Sequence, residues 1–193
     1  PTEKTVLVQG ESGAGKELVA HAIHDASPRR EGNFVVVDCA TLQDTLFESE
    51  LFGHERGAFT GADRRKPGLI EVARGGTLFL DELGEVGPPG QAKLLRAIET
   101  GRFRRVGATE DQRADVRVVA ATNRDLAAMV QAGSFRADLF YRLAGFVIVL
   151  PPLRTRLDDV PALAGQFLRQ MRTSYGEKRL ASAALQRLQT YQW

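Results

Sequence analysis

The sequence has little of what disulfide-bonded or membrane-spanning proteins require. A single cysteine, Cys39, excludes a framework of intrachain disulfides and fits a reducing compartment. The longest apolar run, residues 146–153, includes two prolines and is far shorter than the roughly 20 residues that a membrane-spanning helix needs. No secretory signal pattern precedes the first apolar run. We therefore expect a compact, soluble protein of the cytoplasm.

Neither sign of charge dominates, since 26 lysines and arginines stand against 24 acidic residues and leave a net charge of +2. This excess is too small to indicate nucleic-acid binding, and no helix-turn-helix pattern is present. The chain begins with Pro1 just before a strand pattern and stops at Trp193 just after a helical pattern. We therefore expect it to be a fragment of a longer polypeptide.

Short apolar runs rich in β-branched residues alternate with segments of helical spacing, which is typical of an α/β fold around a parallel sheet. The runs predict strands at 5–9, 34–38, 77–80, 116–122 and 147–150. Several runs are apolar throughout, as in parallel strands that are covered on both faces. The helical stripes are Leu18, Val19, Ala22 and Ile23; Leu42, Leu46, Phe47 and Leu51; and Leu94, Leu95 and Ile98.

Two prolines, Pro151 and Pro152, end this alternation, and no strand pattern follows them. A helical stripe comes next, with Asp158 as its candidate N-cap, and a second helix follows from about Ala181. The stripe consists of Val160, Leu163, Ala164, Phe167, Leu168 and Met171. We predict an α/β domain over residues 1–150 and part of a helical subdomain over residues 151–193.

The most specific local pattern is a phosphate-binding loop, G-x-x-x-x-G-K, placed between a strand and a helix as that motif requires. Its residues are Gly10, Glu11, Ser12, Gly13, Ala14, Gly15 and Lys16. The glycines let backbone N–H groups surround phosphate oxygens, and Lys16 supplies a cation at the β- and γ-phosphates. The alternative is a glycine-rich turn with a structural role only.

One position departs from the general motif, because Glu17 follows the lysine where Ser or Thr usually binds magnesium. A carboxylate this close to a triphosphate is repulsive unless a metal ion or water screens it. The pattern therefore predicts the phosphate site more firmly than it predicts how the metal is held.

A second pattern is the apolar strand at 77–80, which ends in Asp81 and Glu82. This arrangement suits one carboxylate on Mg²⁺ and one that orients the attacking water. The alternative is an N-cap for the segment that follows. Because a phosphate loop is also present, we favour the catalytic interpretation, with Asp81 as the metal ligand.

Four further residues are candidates, and two of them end a predicted strand, where ligands of α/β folds lie. Thr122 and Asn123 end a predicted strand, where a polar side chain can sense the γ-phosphate, although Asn also favours turns. Arg136 and Arg142 follow, and arginines often stabilise the transition state of phosphoryl transfer from a neighbouring subunit. Spacing alone leaves open whether Arg136 instead pairs with a nearby carboxylate.

The segment 57–62 predicts an exposed loop with an aromatic residue at its tip, since it is too rich in glycine for the interior of a helix or strand. Its residues are Gly57, Ala58, Phe59, Thr60, Gly61 and Ala62. Phe59 either contacts a partner or folds back into the core. His21, His24, His54 and Cys39 lack companions at metal-ligand spacing, and we interpret all four as structural.

Together these motifs make the chain resemble the central AAA+ domain of bacterial enhancer-binding proteins, the NtrC-like activators of sigma-54 RNA polymerase. GAFTGA at 57–62 matches that family's signature in full, and GESGAGKE at 10–17 includes the glutamate that departs from the general motif. GGTLFLDE at 75–82, AATNRDL at 120–126 and FRADLFYRL at 135–143 match in order and spacing. The resemblance extends over essentially the whole chain.

The resemblance implies an ATPase that uses ATP and Mg²⁺, assembles into a hexameric or heptameric ring and remodels sigma-54 RNA polymerase. It implies that Lys16 and its loop bind ATP, that Asp81 serves Mg²⁺ and that Glu82 activates water. Arg136 and Arg142 then act in a neighbour's site, and Phe59 and Thr60 engage sigma-54. It also implies that 101–107 is a second loop facing the ring pore and that DNA is bound through a separate domain.

The chain departs from the family pattern at one internal position and at its end. Asp38 stands where the family usually has an asparagine that holds the catalytic glutamate. A carboxylate cannot donate a hydrogen bond to Glu82 unless one of the two is protonated. The family also continues past Trp193 with a lid segment that carries a second-sensor arginine.

Two rival functions fit the nucleotide motifs. One is another AAA+ remodelling machine, of the chelatase or helicase-loader type, which does not need GAFTGA. The other is a scaffold that binds ATP without hydrolysing it. The presence of Glu82, Arg136 and Arg142 argues against the scaffold, and a phosphate-release assay separates the two classes.

Overall fold

A five-stranded parallel sheet organises residues 3–150 in the computed structural model, which describes residues 3–41 and 44–193. The strand order is β2–β5–β8–β1–β9, and every neighbouring pair is parallel. The strands are β1 Val6–Gln9, β2 Phe34–Asp38, β5 Thr77–Asp81, β8 Arg117–Thr122 and β9 Val147–Val149. The predicted α/β class is confirmed, and each predicted strand is present to within one residue at either end.

Helices and two small antiparallel strand pairs connect the sheet strands. The helices of residues 3–150 are α1 Lys16–Asp25, α2 Asp44–Phe52, α3 Leu69–Val72, α4 Pro88–Thr100, α5 Leu126–Gln131 and α6 Ala137–Leu143. The antiparallel pairs are β3 Gly53–His54 with β4 Lys66–Pro67, and β6 Arg102–Phe103 with β7 Gln112–Arg113. Leu83–Glu85 forms a turn of 3-10 helix directly after β5.

The sheet has an apolar core on each face, which explains the uninterrupted apolar runs of its strands. In β8, Val118 and Ala120 belong to one buried cluster, whereas Val119 and Ala121 belong to the other. Alternate residues of a strand point to opposite faces, so both faces of β8 are covered.

The strand register brings the predicted site residues to one edge of the sheet. Asp38 at the end of β2 lies beside Asp81 at the end of β5. Gln9, directly before the phosphate loop, lies beside Thr122 at the end of β8. Because the strands are parallel, all these carboxyl ends meet at the same edge.

Two of the predicted helical stripes differ from the structure. In α1, Val19 and Ile23 pack against the core as predicted, but Leu18 is 60% exposed and Ala22 is also exposed. Ala20 and His24, which the predicted stripe left out, are buried. Lys16 begins this helix with its side chain turned inwards, and positions four and eight residues later share its face. In α2, Phe47 and Leu51 are buried, Leu46 is exposed, and Leu42 lies outside the described residues.

Residues 151–193 form a second compact unit, separate from the unit that ends at Leu150. Two helices make up most of it, α7 Val160–Tyr175 and α8 Ser182–Gln189. The predicted N-cap at Asp158 is wrong, because Asp158 lies inside a short 3-10 turn and Asp159 directly precedes α7. No helix in the described part of the chain is both long enough and apolar enough to cross a membrane.

Candidate functional site

The predicted phosphate loop connects β1 to α1, as its motif requires. Gly15 directly precedes the helix with φ +95°, a left-handed conformation that glycine adopts without strain. The Gly10 N–H donates to the Thr122 carbonyl over 3.2 Å, which ties the start of the loop to the end of β8. The free N–H groups and the dipole of a helix N-terminus favour an anion at this position.

The other loop residues divide between solvent and interior. Glu11 and Ser12 are exposed, as is Gly13, whereas Ala14 is buried. Glu17, the residue that departs from the general motif, exposes 57% of its side chain and lies 3.9 Å from His21 Nε2. Its carboxylate therefore lies on the solvent face of α1 rather than among the loop amides.

The Lys16 side chain is buried in the middle of the candidate site, with only 6% of it exposed. Its Nζ donates to the carbonyl oxygens of Gly10 and Glu11 at 3.2 and 3.3 Å. The same atom lies 3.3 Å from Glu82 Oε1. The fold thus brings together two predicted catalytic residues that are 66 positions apart in the sequence.

The two acids after β5 have different surroundings. Asp81 Oδ1 accepts a hydrogen bond of 2.9 Å from the Glu82 N–H. Burial is the main cause that raises the pKa of Asp81, and the nearby charges of Glu82 and Asp38 add to it. A divalent cation would relieve this repulsion, since it favours the ionised form of the carboxyl group.

Glu82 is held in an unusual backbone conformation, with φ +49° and ψ +47°. Among the residues that the structure describes, it alone has a positive φ without being glycine. Such conformations cost on the order of 1–3 kcal/mol and are concentrated at functional sites. This left-handed conformation turns the chain sharply after Asp81, so that the Glu82 carboxylate faces Lys16.

The end of β8 completes the cluster. The Asn123 N–H donates to Glu82 Oε2 over 3.3 Å, so Glu82 contacts both the loop lysine and the predicted sensor position. Thr122 is buried, and its hydroxyl oxygen accepts a hydrogen bond from the Arg124 N–H. Lys16, Glu82 and Asn123 therefore form one continuous polar group at the edge of the sheet.

Asp38 does not hydrogen-bond Glu82. Its Oδ1 accepts from the Ala40 N–H over 2.9 Å, and its carbonyl accepts from the Thr41 hydroxyl over 3.2 Å. The carboxylate thus stabilises the turn after β2. In this conformation the Asp38 carboxylate therefore accepts from a backbone donor and does not contact Glu82.

The donor set at the site fits a magnesium ion held together with a nucleotide. Among residues 3–41 and 44–193, no group of three or more His, Cys, Asp or Glu side chains could hold a metal ion. Mg²⁺ usually takes one or two carboxylates and completes its shell with phosphate oxygens and water. Asp81 can supply such a carboxylate.

Arg136 and Arg142, the arginines expected to act in a neighbouring subunit's site, lie at the two ends of α6. Arg136 directly precedes α6, and its Nε and Nη2 donate to the Asp138 carboxylate at 3.0 and 2.7 Å. This pairing raises the pKa of Arg136 and lowers the pKa of Asp138. Arg142 lies in the last turn of α6, and its Nη2 donates to the Ile98 carbonyl over 3.5 Å. Within the described residues, neither arginine bonds to Lys16, Glu82 or Asn123.

The GAFTGA segment forms a closed loop with its aromatic residue partly exposed. The Gly57 N–H donates to the Ala62 carbonyl over 2.8 Å, which closes the loop across its base. Phe59 is 42% exposed, and its ring meets the ring of His54 edge-on at a centroid distance of 5.0 Å. His54 is buried and hydrogen-bonds Ser49. Phe59 therefore rests against a buried support and still faces solvent.

A buried arginine joins the base of this loop to the segment 101–107. The Arg105 side chain is only 4% exposed and donates to Glu55 over 2.8 Å and to Glu71 over 2.8 and 2.6 Å. Burial would raise the pKa of Glu71, but hydrogen bonds from Arg105 and the Gly68 N–H hold it below its ordinary value. Beside this ion cluster, the Glu55 N–H donates to the Val106 carbonyl over 3.0 Å, and the Val106 N–H donates to the Gly53 carbonyl over 2.9 Å.

The two segments also touch directly. A Cβ placed on Gly107 would lie 2.8 Å from the Cβ of Ala58, so only glycine permits this approach. The sequence pattern singled out both segments but gave no sign that Arg105 joins them through Glu55 and is also held by Glu71. The run Arg104–Arg105 gave no signal for this role, because adjacent arginines are ordinarily solvated.

The protein-family model for the sigma-54 interaction domain matches residues 1–149 of the chain. The chain is 55% identical to the Nif-specific regulatory protein of Herbaspirillum seropedicae, over 89% of this chain and 32% of that protein. It is 52% identical to the transcriptional regulatory protein ZraR of Escherichia coli K12, over 100% of this chain and 44% of that protein. The chain thus spans less than half the length of these relatives.

Solved structures agree with this relationship. NtrX from Brucella abortus in complex with ADP superposes with a TM-score of 0.88 and 39% identity, over 100% of this chain and 43% of that one. Its complex with ATP gives a TM-score of 0.87 and 38% identity, over 100% of this chain and 44% of that one. The P-loop NTPase domain of a sigma-54 activator from E. coli, at 21% identity and a TM-score of 0.50, covers 79% of this chain and 86% of its own, and supports the fold alone.

Proposed function

Since the chain belongs to the sigma-54 interaction domain family and has the AAA+ P-loop NTPase fold, we propose that it hydrolyses ATP to remodel sigma-54 RNA polymerase. The observation that carries this proposal is the contact of Glu82 with both Lys16 and the Asn123 N–H. One carboxylate then lies between the phosphate loop and the end of a neighbouring strand. The γ-phosphate of a bound nucleotide would be placed there.

The residues of this cluster have separate roles in hydrolysis. The loop amides and Lys16 bind the phosphates, with Lys16 exchanging the Gly10 and Glu11 carbonyls for phosphate oxygens. Asp81 would hold Mg²⁺, which neutralises charge on the phosphates. Glu82 accepts a proton from the attacking water while the oxygen of that water bonds to the γ-phosphorus. The bond between the γ-phosphorus and the β–γ bridging oxygen then breaks, which releases ADP and phosphate.

The arginines act between subunits in this proposal. Arg136 and Arg142 are exposed and do not bond to their own phosphate cluster. An arginine that meets transition-state charge from a neighbouring chain is a recurring device in such enzymes. Their position supports a homo-oligomeric ring in which each chain completes the site of the next.

The surface loop converts this chemistry into contact with a partner. Gly57–Ala62 carries an exposed Thr60 and a half-exposed Phe59 on a base held by the Arg105 ion cluster. Two of the relatives are named as a Nif-specific regulatory protein and a transcriptional regulatory protein. We assign sigma-54 as the partner of this loop, and a separate part of the parent protein to DNA binding.

A binding experiment tests the loop assignment. Purified sigma-54 should bind the protein in the presence of ADP and aluminium fluoride, which together mimic the hydrolysis transition state, and not with ADP alone. Thr60→Ala should abolish this binding and leave ATP turnover within about twofold of the parent, because an exposed loop tip contributes little to folding. Thr173→Ala, an exposed threonine of α7, is the matched control.

The outcomes separate the candidate functions. Turnover without any binding of sigma-54 would indicate an AAA+ ATPase with another client. Nucleotide binding without phosphate release would indicate a scaffold. Equal loss of turnover and sigma-54 binding in Thr60→Ala would show that the loop is structural.

A further inference from the structure

A buried amide lies between the phosphate site and the predicted arginine finger. Gln91, in the first turn of α4, is 1% exposed. Its Oε1 accepts from the Arg136 N–H over 2.9 Å, and its Nε2 donates to the carbonyls of Val86 and Ser134 at 2.9 and 3.1 Å. The two carbonyls require the NH₂ group and the N–H requires the oxygen, so the partners define the orientation of the amide.

One end of this connection leads to Glu82. The Glu85 N–H donates to the Glu82 carbonyl over 2.9 Å, and the Val86 N–H donates to the Leu83 carbonyl over 3.2 Å. The turn from Glu82 to Val86 is therefore a short, fully bonded piece of 3-10 helix. Val86 cannot stay in place if this turn rotates.

The same turn is packed tightly against the end of β8. A Cβ on Gly84 would lie 2.9 Å from Arg124 Cδ and 3.1 Å from Thr122 Oγ1. Arg124 also donates to the Gly84 carbonyl and to Glu85. These contacts limit how far the turn can deform by itself, so a displacement of Glu82 would move the Val86 carbonyl that Gln91 bonds.

The other end of the connection sets the backbone of Arg136. Gln91 bonds to Ser134 and Arg136, the residues on both sides of Phe135, whose side chain is 3% exposed. The Arg136 carbonyl in turn accepts the first hydrogen bond of α6, from the Phe140 N–H. The point from which the Arg136 side chain projects is therefore defined by one buried amide.

We propose that Gln91 is a positioning residue that links the turn carrying Glu82 to the arginine that serves the neighbouring subunit. This inference rests on the proposed role of Arg136 between subunits. Movement of Glu82 in one site then changes the placement of Arg136 in the next. Gln91 itself touches no reacting atom.

Gln91→Met tests the link, because it keeps the length of the side chain and removes all three hydrogen bonds. We expect the affinity for ADP to remain within about twofold of the parent, since the phosphate loop is untouched. Turnover should fall about 10- to 100-fold, the cost of misplacing a catalytic group by about 1 Å. Gln91→Glu, which keeps an acceptor for the Arg136 N–H, takes its place if the methionine variant does not fold.

A mixing experiment separates positioning from a loss of structure. Lys16→Ala subunits should not hydrolyse ATP, yet they carry an intact Gln91 and Arg136. Mixed with Gln91→Met subunits, they offer a correctly placed arginine to intact nucleotide sites, so turnover should rise well above that of either variant alone. A merely misfolded Gln91→Met subunit would not be rescued.

Arg136→Ala, mixed with Lys16→Ala in the same way, is the reference. Rescue of Arg136→Ala without rescue of the Gln91 variant would overturn the inference and leave the role of the arginine intact. Full turnover in Arg136→Ala alone would instead refute the intersubunit role on which the inference rests. Full turnover in Gln91→Met would overturn the inference directly.

Discussion

The two glycine-containing loops of the first unit are held in different ways. The phosphate loop is joined to the ends of other strands through Gly10 and Lys16, and its lysine is almost fully buried. The Gly57–Ala62 loop closes on itself through local hydrogen bonds and leaves Thr60 and Phe59 at the surface. In the proposed function, the first loop surrounds the phosphates of a ligand and the second presents its tip to a partner.

The anchors of the two loops explain this difference. At the phosphate loop the anchor, Lys16, is itself the side chain that we propose binds the phosphates. At the surface loop the anchor, Arg105, lies at the base and leaves the tip free. Changes at the first loop should therefore alter chemistry, whereas changes at the second should alter stability or partner binding.

The largest effect is expected at Glu82, the proposed general base. Glu82→Gln keeps the size of the side chain and removes its basicity, so turnover should fall by about 10²- to 10⁴-fold while ATP still binds. Phosphate release and nucleotide-binding measurements check this result. Undiminished turnover would assign the activation of water to another residue, and Glu85→Gln, on the exposed side of the same turn, is the matched control.

The next largest effect is expected at the base of the surface loop. Arg105→Met removes the buried cation that bonds Glu55 and Glu71, although Arg65 Nε still lies 3.6 Å from Glu55 Oε1. The variant should lower the free energy of unfolding by about 2–3 kcal/mol. Denaturant unfolding measures this change. Arg105→Lys keeps the charge but loses the bidentate contact and should fall between the parent and Arg105→Met. A stability equal to that of the parent would show that the loops are held by their backbone bonds alone.

The Arg105–Glu71 ion pair should also make the free energy of unfolding depend on pH, with a smaller effect than Arg105→Met. The pKa of Glu71 lies below its ordinary value of 4.5 in the folded protein. Its ion pair therefore stabilises the fold above pH 4.5 and is lost as the pH falls further through the folded pKa. Glu71→Gln should reduce the steepness of acid unfolding below pH 4.5, and an unchanged profile would contradict this linkage.

The smallest effect is expected at the tip. Phe59→Leu removes the edge contact with His54 and keeps an apolar side chain, so stability should change by less than about 1 kcal/mol. Turnover should match the parent, since Phe59 does not touch the phosphate cluster. A change larger than that of Arg105→Met would show that the tip, not the base, organises the loop.

The phosphate site could be predicted from the sequence because its signals are local. Residues 10–16 combine a motif, a preceding strand and a following helix, and the acids directly follow an apolar strand. The structure brings Lys16, Glu82 and Asn123 together, and their roles stay predictions until turnover is measured. The core face of α1 was predicted only in part, since Val19 and Ile23 pack against the core but Leu18 and Ala22 are exposed. The inward turn of the Lys16 side chain places positions 20 and 24 on the buried face instead.

Pairs that join distant segments could not be predicted. Nothing near Gln91 in the sequence marks it, since its partners are backbone groups 5 and 45 positions away. The pairing of Arg105 with Glu71 spans 34 positions, and several other arginines had acids nearby. Asp138, by contrast, is two residues from Arg136, and its pairing was considered from spacing alone.

The sequence alone determined the strands, the phosphate loop and the composition of the exposed loop, because periodicity and glycine placement act over a few residues. Only the tertiary structure decided which buried polar group meets which partner. A buried amide or guanidinium must find its hydrogen bonds wherever the packed chain places them. For that reason, only the tertiary structure identifies Gln91 as the partner of Val86 and Arg136, and Arg105 as the anchor of the surface loop.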